Sequence, residues 1–579
     1  MIQWKSSEFK IGINMAGAIS AGAYTAGVLD FLVEALEEWT KAKQDFRTSL
    51  QSQASSATAT PVPLHDVMIE VFSGASAGGM CAAIASVMVQ QPFVHIRTGT
   101  EVGTSNTFYE SWVNKVDISH LLERRDLSPD RPLISLLDCS IIDDIADYAL
   151  SPGPTTARPY ISSSLTLFLT LTNARGVPYQ LYGDPSPTID EFTNYYGDRL
   201  RFETVHSGSA TSDPIAKPLP SGSPGAGAWP LLKVAAKATG AFPIFLAPRI
   251  LSRDVSDYAF PQWEPTCGAA TSTVAPALPN NLKTWQTLNV DGGVTNNSPF
   301  QLAHDYLAAS NPKAEKCHNP RDPIDANCAV ITVAPFPSKD IFDPKFDLQK
   351  SASVWTMLPR LVSVLLSQSR FQGESLEVLT SGTSFSRFVI APSDPDKAGE
   401  SPLQCSLLGA FGGFFERTFR AHDFLLGRRN CQKFLMSHFS LPKDNVVIAA
   451  GLREAGTNAS AITSQWTIDP PNTVVQPQSK VWIPLIPLCG TARQEVPRPQ
   501  RGVLSSDSLS RIVDSIIERL KSVVPMLLKD APAGGLLKSL LAIALSFPFK
   551  FVLKARLRTA LLDALCPNVE GQKPEDCKA

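Results

Sequence analysis

The sequence predicts an α/β protein, a mainly parallel central sheet covered by helices on both faces in three α/β/α layers, followed by a mostly helical C-terminal region. Three observations predict it. Short apolar runs of strand length recur between Phe9 and Ala334; stretches with apolar residues at helical spacing stand between them; and beyond about residue 400 the helical spacing dominates. Strands joined through helices run parallel, because a crossover returns the chain to the same end of the sheet.

The elements follow in order. Phe9, Ile11, Ile13 and Met15 alternate as a strand does, and Val28, Phe31, Leu32, Leu36 and Trp39 then recur as one face of a helix. Residues 67–72 form a short apolar run before a Gly/Ser turn and an Ala-rich helix over 77–89. Buried strands are predicted over 165–171, 288–290 and 329–334. The Ser/Ala/Thr-rich stretch 51–63 and the Ser/Pro/Gly-rich stretch 207–228 read as solvated loop insertions. Helices are expected over 354–367, 407–434 and 507–528, and a basic amphipathic stretch covers 536–565. This pattern divides the chain into an α/β domain over 1–400 and a mostly helical C-terminal region over 401–579.

Composition excludes several classes. With 44% apolar residues, 18% charged residues and a net charge of −2, the 579-residue chain is globular rather than disordered, and no general attraction to nucleic acid is expected. The ten cysteines lack a framework spacing and the eight histidines are scattered, so neither a disulfide scaffold nor a metal site is predicted, and no cofactor is expected. Cys317 and Cys328 bracket a Pro/Asp-rich loop, compatible with a bridge or with two free thiols. The N-terminus has no secretory signal pattern, and the closest approach to a membrane span, 536–553, is interrupted by Lys538, Pro548 and Lys550. A cytoplasmic protein is expected.

The strongest local signal is Gly74-Ala75-Ser76-Ala77-Gly78, between a predicted strand and a predicted helix. In G-x-S-x-G, Gly74 and Gly78 let the chain turn sharply enough to project the Ser76 hydroxyl from the strand end, and the following helix directs free amides toward charge developing there. A serine hydroxyl becomes a nucleophile only when a base takes its proton. In an α/β-hydrolase that base is a histidine late in the chain; His304, His318, His422 and His438 are late enough, and no motif singles one out. Asp291 is the other candidate, at the end of the apolar run 288–290 and followed by Gly292 and Gly293, although Asp-Gly-Gly also forms a turn in which the aspartate caps its own backbone. The small-residue turn from Ala16 to Tyr24 exposes amides at a helix start, suited to an oxyanion or a phosphate, and lacks the Lys-Ser/Thr pair of a nucleotide loop.

These three pieces, in this order and each at a strand end, resemble the patatin-like phospholipase family, which joins a glycine-rich oxyanion loop, a G-x-S-x-G elbow and a D-G-G/A motif into a serine–aspartate dyad. The resemblance covers about residues 8–310. It extends to Ala235-Ala236-Lys237-Ala238-Thr239-Gly240-Ala241-Phe242-Pro243, to Thr172-Asn173-Ala174-Arg175-Gly176, which is similar to a strand-end turn, and to Asn296-Asn297-Ser298-Pro299. It implies Ser76 as nucleophile, Asp291 as base, and the amides of Gly17, Ala18 and Ile19 as the oxyanion hole. The loop departs from the family's G-G-G-x-R/K-G: here it reads Gly17-Ala18-Ile19-Ser20-Ala21-Gly22, so two glycines and the basic residue are missing. Alanine and isoleucine still offer N–H groups, but a positive φ would strain β-branched Ile19.

The implied function is hydrolysis of lipid acyl esters, by a phospholipase A, lysophospholipase or acyl hydrolase, through an acyl-enzyme intermediate. A general serine esterase or thioesterase, or a non-catalytic lipid-binding protein on the same fold, are the alternatives. Over 536–565, Leu536, Leu540, Ile543 and Phe547 share a helical face beside Lys538, Lys550, Lys554, Arg556 and Arg558, a helix suited either to peripheral membrane contact or to covering a core. Arg417, Arg420, Arg428 and Arg429 read as a solvated helix face paired with Glu416, or as a site for phosphate headgroups.

Overall fold

The computed structural model describes residues 4–51, 59–153, 155–181, 191–206, 208–223, 225–259, 274–337, 369, 384–394, 401–470, 481–530, 547–566 and 568–572. Its centre is a mixed nine-stranded sheet, mainly parallel, enclosed by helices as a three-layer α/β/α fold. The strands are β1 (Glu8–Met15), β2 (Asp66–Gly74), β3 (Ile161–Leu181), β4 (Glu191–Val205), β5 (Lys217–Pro220), β6 (Arg249–Asp254), β7 (Thr284–Asp291), β8 (Cys328–Val333) and β9 (Arg387–Ile390). Their order is β5-β4-β3-β2-β1-β8-β9, and β7 pairs with both β3 and β6. The helices are α1 (Gly22–Gln51), α2 (Ser76–Met88), α3 (Ser140–Ala149), α4 (Trp229–Thr239), α5 (Phe300–Ser310), α6 (Arg417–Ser437), α7 (Val446–Ala455), α8 (Ala459–Trp466), α9 (Ser506–Asp530) and α10 (Phe547–Leu565), with shorter turns between them.

Central strand β1 is buried along its whole length. Its apolar residues alternate with Glu8, Lys10, Gly12 and Asn14, and the polar set is also covered. Lys10 is held there by ion pairs to Glu8 and Glu70, which satisfy a charge that could not otherwise remain buried. Strand β1 lies parallel to β2 with Met15 opposite Gly74, and parallel to β8 with Met15 opposite Val333. The carboxyl ends of β1 and β2 therefore sit side by side at one edge of the sheet, where open α/β folds place their ligands.

Helix α1 is the one helix among the described residues that is long and apolar enough to cross a membrane, and its apolar stretch is almost wholly buried inside the protein. It crosses α6 with backbone in contact. A Cβ on Gly27 would lie 1.9 Å from the Phe424 carbonyl oxygen, and one on Gly427 would lie 2.2 Å from that of Tyr24. Asp30 and Glu34 of α1 take the guanidinium of Arg428, with Glu34 Oε2 2.6 Å from Arg428 Nη2. Arg420 and Arg428 of α6 thus serve neither a solvated face nor a headgroup site. Arg428 and buried Arg420 are internal, Arg420 donates to the carbonyls of Val113 and Gly413, and Glu416 instead caps the amide of Thr418.

One apolar core runs from Phe9 in β1 to Val496, so residues on both sides of position 400 share it. A second cluster joins Val116, Phe414 and Phe419 to Leu509 and Val513 of α9 and Leu561 and Leu565 of α10. The described part of the basic stretch therefore buries apolar residues against α9, and Lys554 pairs with Asp514; residues 536–546 lie outside the described residues, as does the expected helix 354–367.

Several local expectations are corrected. Residues 172–176 do not end a strand: β3 continues through them with a shift in its pairing to β4, and Gly176 takes φ 76 while Asn173 Oδ1 accepts from the amides of Arg175 and Gly176. The 207–228 stretch includes edge strand β5, where Pro218 and Pro220 are tolerated because an edge has a free side. The predicted helix 407–434 is two pieces. Leu408, Gly409 and Ala410 are left-handed, with φ of 54, 62 and 77, and the long helix starts only at Arg417. Cys328 is a buried free thiol that accepts from Asn311 Nδ2, so no bridge joins it to Cys317.

Candidate active site

Ser76 is the first residue of α2, directly after β2, and its φ is +52. A non-glycine residue in this region is strained, and the strain is what aims the side chain out of the strand end. The flanking glycines are required by close approach. A Cβ on Gly74 would meet the Gly78 carbonyl at 2.6 Å, and one on Gly78 would meet the Met15 carbonyl at 2.1 Å. The amide of Ser76 donates to Thr239 Oγ1 at 3.0 Å, a hydroxyl at the end of α4.

Asp291 reaches the same place from the opposite direction. Strand β7 is antiparallel to β3 and ends with Asp291 opposite Leu171, two residues beyond Leu169, which pairs with Gly74. Ser76 Oγ donates to Asp291 Oδ2 at 2.7 Å, and the amide of Gly293 donates to Asp291 Oδ1 at 2.7 Å. Both readings of Asp-Gly-Gly hold together: one carboxylate oxygen caps the turn and the other faces the serine. Gly292 is confined by the Thr170 carbonyl, 2.1 Å from where its Cβ would stand. Burial pushes the Asp291 carboxyl up to about 6, against the opposing pull of its bonds to Ser76 and Gly293.

The loop after β1 lies against this pair. A Cβ on Gly17 would be 2.0 Å from Asn297 Oδ1 and 2.9 Å from Ser76 Cβ, so only glycine fits. The Gly17 amide donates to the Asn297 carbonyl at 3.0 Å. That narrows the expected oxyanion set, because Gly17 is already engaged. Among the described residues, no acceptor pairs with the amides of Ala18, Ile19 or Ala77, and these are the donors available beside Ser76. Ile19 does adopt the strained conformation, at φ +48.

Two cavities meet at Ser76. One is apolar: Ile19, Ala77, Met80, Ile84, Trp112, Ile145, Ala146, Ala149, Phe242 and Phe414 are among its walls. Lys237, the charged residue in this lining, pairs with Asp143 at 2.7 Å. The other is more polar and brings together Gly17, Ala18, Ile19, Ser76, Asp291, Gly293, Asn297 and Ala410. No histidine lines either cavity; His304 pairs with Asp305, His422 with Asp423, and His438 contacts Ser437. Sequence reasoning missed the contributions of Phe411 and Phe414, which reach the site from the C-terminal region, and the roles of Thr239 and Asn297 as partners of Ser76 and Gly17.

No protein-family model matches the chain. It is 32% identical over 581 residues to the uncharacterized protein y4iI of Sinorhizobium fredii (strain NBRC 101917 / NGR234), an alignment that takes in 92% of this chain and 78% of that relative.

Proposed function

The chain belongs to the same family as that rhizobial protein, and we propose that it is a serine acyl-ester hydrolase acting on lipids, with Ser76 as nucleophile and Asp291 as base. The observation that carries this reading is the 2.7 Å hydrogen bond from Ser76 Oγ to a buried carboxylate at the junction of an apolar and a polar cavity. The resemblance of the three motifs to patatin-like phospholipases supports it independently. A lipid is favoured over a small ester because the cavity beside Ser76 is walled almost wholly by apolar side chains, the surroundings an acyl chain requires.

In the proposed reaction, Asp291 accepts the hydroxyl proton as Ser76 Oγ attacks the ester carbonyl carbon. The amides of Ala18, Ile19 and Ala77 receive the negative charge that forms on the carbonyl oxygen. Collapse breaks the ester C–O bond, and Asp291 returns its proton to the departing alcohol. Water then attacks the acyl-enzyme with Asp291 again as base, releasing the fatty acid and the free serine.

A fluorophosphonate probe tests the nucleophile directly, since it labels only an activated serine. Wild type is expected to label and Ser76→Ala is not; an unlabelled wild type, or a labelled variant, would refute the assignment. The acyl site has its own test. Ala146→Phe places a ring in the apolar cavity and is expected to exclude about three methylenes of a long chain. At ~0.8 kcal/mol each, kcat/KM for a long-chain ester should fall roughly 50-fold while that for an acetyl or butyryl ester stays within about twofold. Equal losses on both would place the acyl chain elsewhere.

A further inference from the structure

We propose that Ser20 is a positioning residue for acyl transfer: it ties the oxyanion loop to the C-terminal segment 405–413 and thereby holds Ile19 in the left-handed conformation that leaves its amide free. The inference rests on the acyl-hydrolase reading above and extends it to the segment 405–413, far from the three motifs in the chain.

Ile19 at φ +48 is costly for an L-residue, on the order of 1–2 kcal/mol, and a β-branched side chain sits at the unfavourable end of that range. Glycine would make this conformation almost free, but the loop carries none at positions 18–21. Something else must hold it. The neighbouring Ser20 is fully buried, and its hydroxyl is engaged on both sides by the distant segment. Oγ donates to the Ala410 carbonyl at 2.5 Å, with the Cys405 carbonyl 3.3 Å away as a second acceptor, and accepts from the Gly413 amide at 3.1 Å. One hydroxyl thus satisfies two buried backbone groups that water cannot reach.

The segment is itself anchored. The amides of Gln404 and Cys405 donate to the buried carboxylate of Asp423 on α6, at 2.9 and 2.8 Å. Helix α6 is locked onto α1 by the Gly27 and Gly427 crossing. The left-handed run at Leu408, Gly409 and Ala410 brings the Ala410 carbonyl to Ser20 and places Ala410 in the wall of the polar cavity. Two strained pieces of backbone, each unfavourable alone, meet at one hydroxyl beside Ser76.

Ser20→Ala removes only that hydroxyl. Loss of an oxyanion donor typically costs about 10²–10³ in kcat, and loosening one is expected to cost roughly 30-fold, with KM changed less than about threefold. Adding Ile19→Gly should return kcat to within about fivefold of wild type, because glycine reaches the required φ without a tether. A merely structural serine predicts no such rescue. Hydrogen exchange of the peptide spanning residues 16–24 gives a second readout, expected to quicken in Ser20→Ala. Unchanged kcat, or a loss that Ile19→Gly fails to restore, overturns the proposal. A wild type that neither labels with fluorophosphonate nor cleaves esters overturns the hydrolase reading instead, and the exchange measurement still decides the tether: unchanged exchange overturns it, faster exchange upholds it.

Discussion

Ser76→Ala and Asp291→Asn are each expected to lower kcat on an acyl ester by about 10⁴-fold, and the double variant is expected to be no worse than the more impaired single one. The reason is geometric. Ser76 Oγ and Asp291 Oδ2 are 2.7 Å apart in a site where no histidine lines either cavity, so the carboxylate is the proton acceptor within reach. Once either partner is gone the other has no role, and groups that act as one unit show strongly non-additive losses. Asparagine keeps the shape of Asp291 and can still accept from Gly293, so its effect isolates proton transfer from packing. Single-turnover kinetics of the four proteins make the measurement. Losses that simply multiply would mean that the two residues act separately, and the dyad would have to be abandoned.

The parts of this site that were legible in the sequence are those whose requirements are local. Gly74, Gly78, Gly292 and Gly293 surround Ser76 and Asp291 within the same turn, and three of the four are forced by backbone atoms where a Cβ would stand. A turn of that kind leaves a mark in consecutive residues. Strands β1, β2 and β8 were legible for a similar reason, because burial on a sheet writes an apolar run or an alternation; β7 stands where the run 288–290 predicts a strand, but Leu288 is exposed and the buried side chains are those of Thr287, Asn289 and Asp291. Strand β4 was not. Its residues Glu191 to Val205 mix charges, tyrosines and a glycine, and they are a strand because they pair antiparallel with β3, a tertiary cause.

The contacts that connect the motifs to the rest of the chain left no comparable mark. Thr239 meets Ser76 across 163 positions, and Ser20 meets Ala410 across 390. Residues 407–416 carry apolar spacing that suits a helix, yet the chain turns left-handed at Leu408 to Ala410. A pattern of apolar residues registers burial, not the φ that tertiary hydrogen bonds impose. The same limit applies to the arginines of α6, whose charge suggests solvent although Arg420 and Arg428 are buried against carbonyls and carboxylates.

Asp291→Asn is also expected to make the protein more stable, by an amount that grows with pH. Burial raises the Asp291 carboxyl from 3.8 to about 6, so the folded chain holds this proton where the unfolded chain has released it. For an acid shifted upward, the stabilising contribution is complete below the unfolded value and is lost as pH rises through the folded one. The native state therefore gives up about 3 kcal/mol between acid and neutral pH by keeping this carboxylate buried and ionised. Asparagine carries no charge to desolvate, so the gap between variant and wild type should widen by about 2 kcal/mol from pH 4.5 to pH 8. It appears as a rise of roughly a few degrees in thermal midpoint at pH 8 that is much smaller at pH 4.5. Wild-type kcat/KM should rise over the same window, through about pH 6, because only the ionised form accepts the serine proton. A variant less stable than wild type at pH 8, or a difference that ignores pH, would mean that Asp291 does not hold a destabilised charge, and the strained pair at the sheet edge would then need another explanation than catalysis.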